Sequence, residues 1–262
     1  MKRSFGRLAP LAVLLLATPA SAQNWHFWQN ANLQLTNWQL ATGFDYSAGR
    51  YGAASDTTVL SIPFTGRVQL GDLRLEATLP YLDVKGPGVF TGGIVVGTGA
   101  SSTRSGIGDL NLGAAWLLHK DSAEVPAIEL EGIVKAPTAE SGLGTGKFDY
   151  TAQVNLYHSF TPRLMLFGTL GYQWLNNFQT YTLEDGMLAS GGVNYWASND
   201  TSVGLSVSYR QEYYGGLGDV FSVSPYLLWD FDENWRISAY GIVGATDASP
   251  RYGGGLRLIF AG

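Results

Sequence analysis

The sequence predicts an all-β fold, a transmembrane antiparallel β-barrel of about twelve strands. Three observations predict it. After residue 38, apolar and polar residues alternate with period two along most of the chain, the pattern of strands with two unlike faces. Only 14% of residues are charged, beside 34 Gly, 8 Trp, 14 Tyr and 12 Phe, where a soluble domain carries about 25% charge. The aromatics gather near strand ends, as the two membrane–water interfaces favour.

The N-terminus reads as an export signal. Lys2, Arg3 and Arg7 form a basic start, the apolar run LAPLAVLLLATPA follows, and Ala20-Ser21-Ala22 is a small-residue cleavage site. Residues 1–22 are therefore expected to be a cleaved signal peptide. Their apolar run is shorter than the roughly 18 residues a membrane helix needs. Residues 23–37, QNWHFWQNANLQLTN, are expected as a pre-barrel segment, with two Trp and one Phe that argue for a plug or rim contact. Residues 38–262 are expected to be the barrel. The implied location is the bacterial outer membrane, with its lipid and the barrel-assembly machinery as partners.

Composition narrows the function classes. Cysteine is absent, so disulfides play no part. The formal charge of −5 becomes −8 once the three basic leader residues are set aside. An acidic chain is a poor partner for nucleic acid.

The alternation places strands at 38–48, 59–70, 73–84, 107–118, 125–137, 147–160, 164–175, 187–197, 201–210, 220–230, 235–244 and 251–260. In the second, Leu60, Ile62, Phe64, Gly66, Val68 and Leu70 share one face, and Ser61, Pro63, Thr65, Arg67 and Gln69 the other. After a Gly71-Asp72 turn, Leu73, Leu75, Ala77, Leu79 and Tyr81 oppose Arg74, Glu76, Thr78 and Pro80. The 187–197 strand is the weakest reading, because its faces barely differ. Pro63 and Pro225 fall inside strands, where each removes a ladder donor. Connections alternate between short (GD, TPR, SND, DEN) and long, as periplasmic turns and extracellular loops do. An even strand number returns both termini to the periplasm.

Trp38, Trp116, Phe160, Trp229, Trp235 and Phe260 take the apolar face near the expected periplasmic ends. Tyr46, Tyr81, Tyr150, Trp174, Tyr209, Phe221 and Tyr252 lie near the opposite ends. The strand charges, Asp45 among them, fall on the polar face. From these the candidate lumen-lining residues are Arg67, Arg74, Glu76, Asp109, Glu129, Glu131, Lys135, Lys147, Asp149, Arg210, Arg236 and Arg257. Mixed signs on facing walls either pair to fill the barrel or form a constriction that selects solutes. Twelve strands lie between the eight that close on side chains and the sixteen that leave a wide channel.

Three stretches, ATGFDYSAGRYG (41–52), SGIGDLNLGAAWLL (105–118) and KAPTAESGLGTGKFDY (135–150), resemble the outer-membrane β-barrel proteins of the meta-pathway phenol-degradation family, called "transporter". The resemblance covers most of the expected mature chain. It implies a barrel for small, often aromatic, compounds, and carries over no residue-level site.

SGLGTGK (141–147) invites a nucleotide-binding reading. A phosphate loop needs a glycine five residues before Gly146, where Ser141 stands, and a Ser or Thr after Lys147, where Phe148 stands. Phe148, Tyr150, Ala152, Val154 and Leu156 then alternate as a strand, not a helix. The stretch reads as a hairpin tip, with Lys135 and Lys147 flanking it on the inward face. A hydrolase is the enzyme alternative. His158 and Ser159 are adjacent in a strand and face opposite ways, so they form no catalytic pair. The chain is therefore read as a non-enzyme without catalytic residues, cofactor or metal. The expected function is an outer-membrane channel passing small, hydrophobic or aromatic solutes through a polar lumen, gated by the 85–106 loop. The competing class is a structural or adhesive barrel acting through its extracellular loops.

Overall fold

A computed structural model describes residues 38–262, apart from 54, 88, 92–93, 97–100 and 178–181. The expected signal peptide and the 23–37 segment lie outside the described residues.

The described chain is all β. Its strands are β1 (Trp38–Gly49), β2 (Thr57–Leu70), β3 (Leu73–Gly86), β4 (Val89–Thr91), β5 (Ile94–Val96), β6 (Ser102–Ile107), β7 (Leu110–His119), β8 (Ala127–Ala136), β9 (Asp149–Thr161), β10 (Leu164–Trp174), β11 (Gly186–Trp196), β12 (Thr201–Arg210), β13 (Val220–Asp230), β14 (Trp235–Gly244) and β15 (Tyr252–Ala261). Each long strand pairs antiparallel with its sequence neighbours, and β1 pairs with β15 to close the barrel. β6 and β7 both pair with β3, at its upper and lower parts, and so make one interrupted stave. The barrel therefore has twelve staves. β4 and β5 form a separate small hairpin within the long connection after β3.

Period-two alternation becomes the two faces of the wall. Along β2 the residues from Thr57 to Arg67 are buried at every odd position, while Leu60, Phe64 and Val68 are exposed. The outward face is thus aliphatic, as a lipid environment requires. Aromatic rings band the end of the barrel where β1 starts and β15 finishes, the end expected to be periplasmic. Trp38 meets Phe260 at 5.6 Å, Phe260 meets Trp235 at 4.8 Å, Trp235 meets Phe231 at 6.5 Å, and Phe231 meets Trp229 at 5.6 Å. At the other end Tyr46 neighbours Tyr252 and Tyr172 neighbours Trp174. These separations suit edge and offset packing of rings.

The prolines explain the irregularities. Pro63 and Pro80 stand directly opposite each other across β2 and β3. Neither has an N–H to give its other neighbour. The β1–β2 register skips from Thr42–Phe64 to Asp45–Ser61, beside Pro63. Beside Pro80 the stave breaks between β6 and β7. There Gly108 N donates to Pro80 O at 2.8 Å, and Leu110 N turns to Thr138 Oγ1 at 2.8 Å. Pro225 likewise faces a gap between the Val223–Val243 and Tyr226–Tyr240 pairs. The stave expected at 107–118 therefore starts earlier, at Ser102, and carries a break the alternation did not show.

β11 forms where the faces hardly differ in polarity. Gly192 faces the lumen there, and the burial it lacks comes from a neighbouring strand's ring, described next.

Candidate functional site

The inward face divides into two unlike sectors. The first runs over β2, β3, β7, β8 and β9 and is built on ion pairs. Arg67 donates through Nη2 to Glu76 Oε2 at 2.6 Å across the β2–β3 pair. Arg74 grips Glu129 with both terminal nitrogens, at 2.7 and 2.9 Å, and lies 3.4 Å from Glu131. Asn155 donates to both Glu129 and Glu131 at 2.9 Å, and Gln153 donates to Glu131 at 2.8 Å. Nearer the extracellular end, Lys135 contacts Asp109 and Asp149, each at 2.9 Å, and Thr145 at 3.1 Å. Charges this deeply buried must be paired, because each costs several kcal/mol to take from water alone.

The second sector spans β10 to β15. Met165, Phe167, Tyr226, Leu228, Tyr240, Ile242 and Ile259 form one buried cluster that reaches Ala41, Ala127 and Tyr157. Three of its rings press against inward glycines of the next strand. A Cβ on Gly192 would stand 2.4 Å from Phe167, one on Gly204 2.1 Å from Tyr226, and one on Gly255 2.7 Å from Tyr240. The glycines thus let the rings lie along the wall. Serines 206, 208, 222 and 224 line the same sector in register, with Ser208 and Ser222 hydroxyls 2.8 Å apart. Tyr157 joins the sectors, its hydroxyl 3.3 Å from Glu129. Where the barrel closes, Arg257 and Tyr240 both reach Asp45, at 2.5 Å.

Of the twelve candidates read from the sequence, ten are buried on inward faces: Arg67, Arg74, Asp109, Glu129, Glu131, Lys135, Asp149, Arg210, Arg236 and Arg257. Glu76 is nearly so, at 10% side-chain exposure. Lys147 is the exception. β9 begins only at Asp149, so Lys147 lies in the connection and is exposed, not on the inward face. Arg236 pairs with Asp230 at the periplasmic end and belongs to neither cluster. Asn155, Gln153, Tyr157, Phe167, Tyr226, Tyr240 and Asp230 are not among the residues that the sequence predicts. Alternation already placed Tyr157 with Gln153 and Asn155. The aromatic bands that the alternation predicts lie on the outer face, and no local pattern marks an inward ring.

The glycine-rich hairpin tip has two kinds of glycine. Gly142 and Gly146 take positive φ of 81° and 66°, which glycine adopts freely. Gly144 does not. A Cβ there would meet Ala139 at 2.6 Å and Asp109 at 2.8 Å, so it makes room over the Lys135 cluster. His158 faces away from the lumen and bonds Asp121 through Nδ1 at 3.0 Å.

The family model described as "Putative MetA-pathway of phenol degradation" matches residues 18–261. No curated protein matches the sequence. Among solved structures, an outer membrane channel from Pseudomonas putida F1 superposes with a TM-score of 0.69 at 15% identity, over 88% of this chain and 97% of that one. The KdgM porin gives 0.54 at 10% identity, over 86% and 99%. The CymD monoaromatic hydrocarbon channel gives 0.50 at 11% identity, over 88% and 90%. At these identities the shared property is the fold, that of outer-membrane barrels.

Proposed function

The chain belongs to the family of the phenol-degradation MetA pathway, and on that premise we propose an outer-membrane channel that passes small, hydrophobic or aromatic solutes through a polar lumen. No chemical step is assigned to it.

The observation that carries this reading is the divided lumen wall. Phe167, Tyr226 and Tyr240 place three nearly buried rings in one apolar sector of the inward face, chemistry that favours an aromatic solute beside it. The ion pairs opposite them satisfy one another, so that sector does not hold a neutral solute tightly. A solute that leaves easily is what conduction needs. CymD, a monoaromatic hydrocarbon channel, is a barrel of this fold, which supports the solute class.

The test is reconstitution. Folded barrel in planar bilayers should give discrete conductance, and hydroxylated monoaromatics should perturb the current. Liposomes carrying it should take up small polar solutes faster than empty ones. A folded barrel with neither conductance nor uptake would sink the proposal.

A further inference from the structure

Six cations stand on the inward faces of the strands: Arg67, Arg74, Lys135, Arg210, Arg236 and Arg257. Five have a carboxylate within bonding reach. Among the described residues Arg210 has none. The carboxylates whose field reaches it are Asp149 and Asp185, and both are engaged elsewhere. Asp149 contacts Lys135, and Asp185 accepts the Leu175 N–H.

Arg210 is nevertheless held in place. Its Nε donates to Gln173 Oε1 at 2.9 Å, and its Nη1 to the Gln211 carbonyl at 2.6 Å. The guanidinium carbon lies 5.1 Å from the centre of the Tyr213 ring, within cation–π range. Among the described residues its buried Nη2 has no partner, and neither has the buried Tyr213 hydroxyl. Arg210 is 4% exposed and Tyr213 1%. A fixed cation with a spare donor, shut from water beside a second spare donor, lacks an anion.

We propose that Arg210 and Tyr213 are the polar end of a binding site for the carboxylate of a small organic acid at the extracellular mouth. One carboxylate oxygen accepts from Arg210 Nη2 and the other from the Tyr213 hydroxyl. The apolar remainder of the acid packs with Leu183, Val220 and Ala248, which form one buried cluster with Tyr213. Burial pushes the Tyr213 hydroxyl up to about 12, against the pull of Arg210, so it remains a donor at neutral pH. The site is covered by the 182–185 and 211–219 segments, joined by the Leu183–Tyr214 bridge and by Glu184 N to Tyr213 O at 2.9 Å. Entry of the acid parts that contact. The role of the acid as cargo rests on the channel reading; its binding does not.

Calorimetry on the folded full barrel in detergent decides the matter, with benzoate as probe. Benzyl alcohol supplies the same ring without charge, and inorganic phosphate a charge without the ring. Benzoate should bind and benzyl alcohol should not. Arg210→Gln should weaken benzoate by about tenfold to a hundredfold, as loss of a hydrogen bond to a charged group does. Tyr213→Phe should weaken it by a smaller factor. Heat-modifiable gel mobility reports folding, and if Arg210→Gln does not fold, Tyr213→Phe and the benzyl alcohol arm still decide. Absence of benzoate binding, equal binding of benzyl alcohol, or phosphate binding as strong as benzoate would each overturn the site. A barrel that binds benzoate without conducting refutes the channel and leaves the site standing. One that conducts without binding does the reverse.

Discussion

Tyr226 of β13 reaches over Gly204 of β12, so that a Cβ on the glycine would sit 2.1 Å from the ring. The same Cβ would stand 2.4 Å from the Val193 carbonyl oxygen. The ring is held against the wall from beneath as well as by its hydroxyl, which donates to Asn194 Oδ1 at 3.1 Å. Phe167 on Gly192 is the mirror case from the other side of β11 and β12.

This geometry predicts the direction of a conductance change. Gly204→Ala displaces Tyr226 toward the barrel axis and should lower single-channel conductance, at about 1–3 kcal/mol of stability from overpacking. Tyr226→Ala should raise conductance while costing about 3–5 kcal/mol as a large-to-small change. If both substitutions shift conductance the same way, the ring does not border the permeation path.

The Arg74 pairs predict an order of stability. Arg74→Ala leaves Glu129 and Glu131 facing each other without their cation and should cost about 3–5 kcal/mol, as removal of one partner of a buried pair does. Arg67→Ala removes the cation beside Glu76, which is itself less buried, and should cost less. Urea unfolding in detergent micelles, followed by tryptophan fluorescence, measures both. The loss of one inward positive charge should also move the reversal potential toward cation preference in a salt gradient.

Two lysines near the hairpin tip should behave unlike each other. Lys147→Ala should leave ion selectivity and stability unchanged, because Lys147 is exposed beyond the start of β9. Lys135→Ala should destabilise the barrel and alter selectivity, because it uncovers Asp109 and Asp149 together. Reversal potentials and unfolding midpoints of the two variants provide the comparison.

The assignment of faces predicts how arginine is tolerated on β10. Leu170 points outward and is 55% exposed. Leu170→Arg should cost about 2–4 kcal/mol if it lies near the bilayer midplane. An outward charge at Arg163, in the turn before β10, is already present in the native chain. Yield of folded, heat-modifiable barrel in lipid vesicles ranks the variant against wild type. Equal folding of Leu170→Arg and wild type would mean that this face does not meet lipid.

The staves were legible because lipid and lumen impose opposite polarity every second residue. That constraint acts on each residue alone, so a linear reading recovers it. Arg67 and Glu76 were placed inward on this basis, and the β2–β3 register then brings them to 2.6 Å. What sequence did not reveal depends on partners across the ladder. The break at Gly108 follows from Pro80 on another strand. The inward placing of Tyr226 and of Phe167 depends on Gly204 and Gly192 respectively, which as glycines carry no polarity to read. Lys147 falls outside the wall because the alternation runs two residues past the point where pairing with β8 begins, at Lys135–Asp149.

The pairing of β1 with β15 joins residues more than two hundred positions apart, as in Asp45 with Gly255. β15 pairs with both β1 and β14, so loss of that strand would expose two raw strand edges within one membrane. Closure thus demands the longest-range contacts of the wall, the kind that forms slowly because the most distant segments must meet. Asp45, Tyr240 and Arg257 stand at that meeting place as a clasp, fastening only when the final strand has arrived.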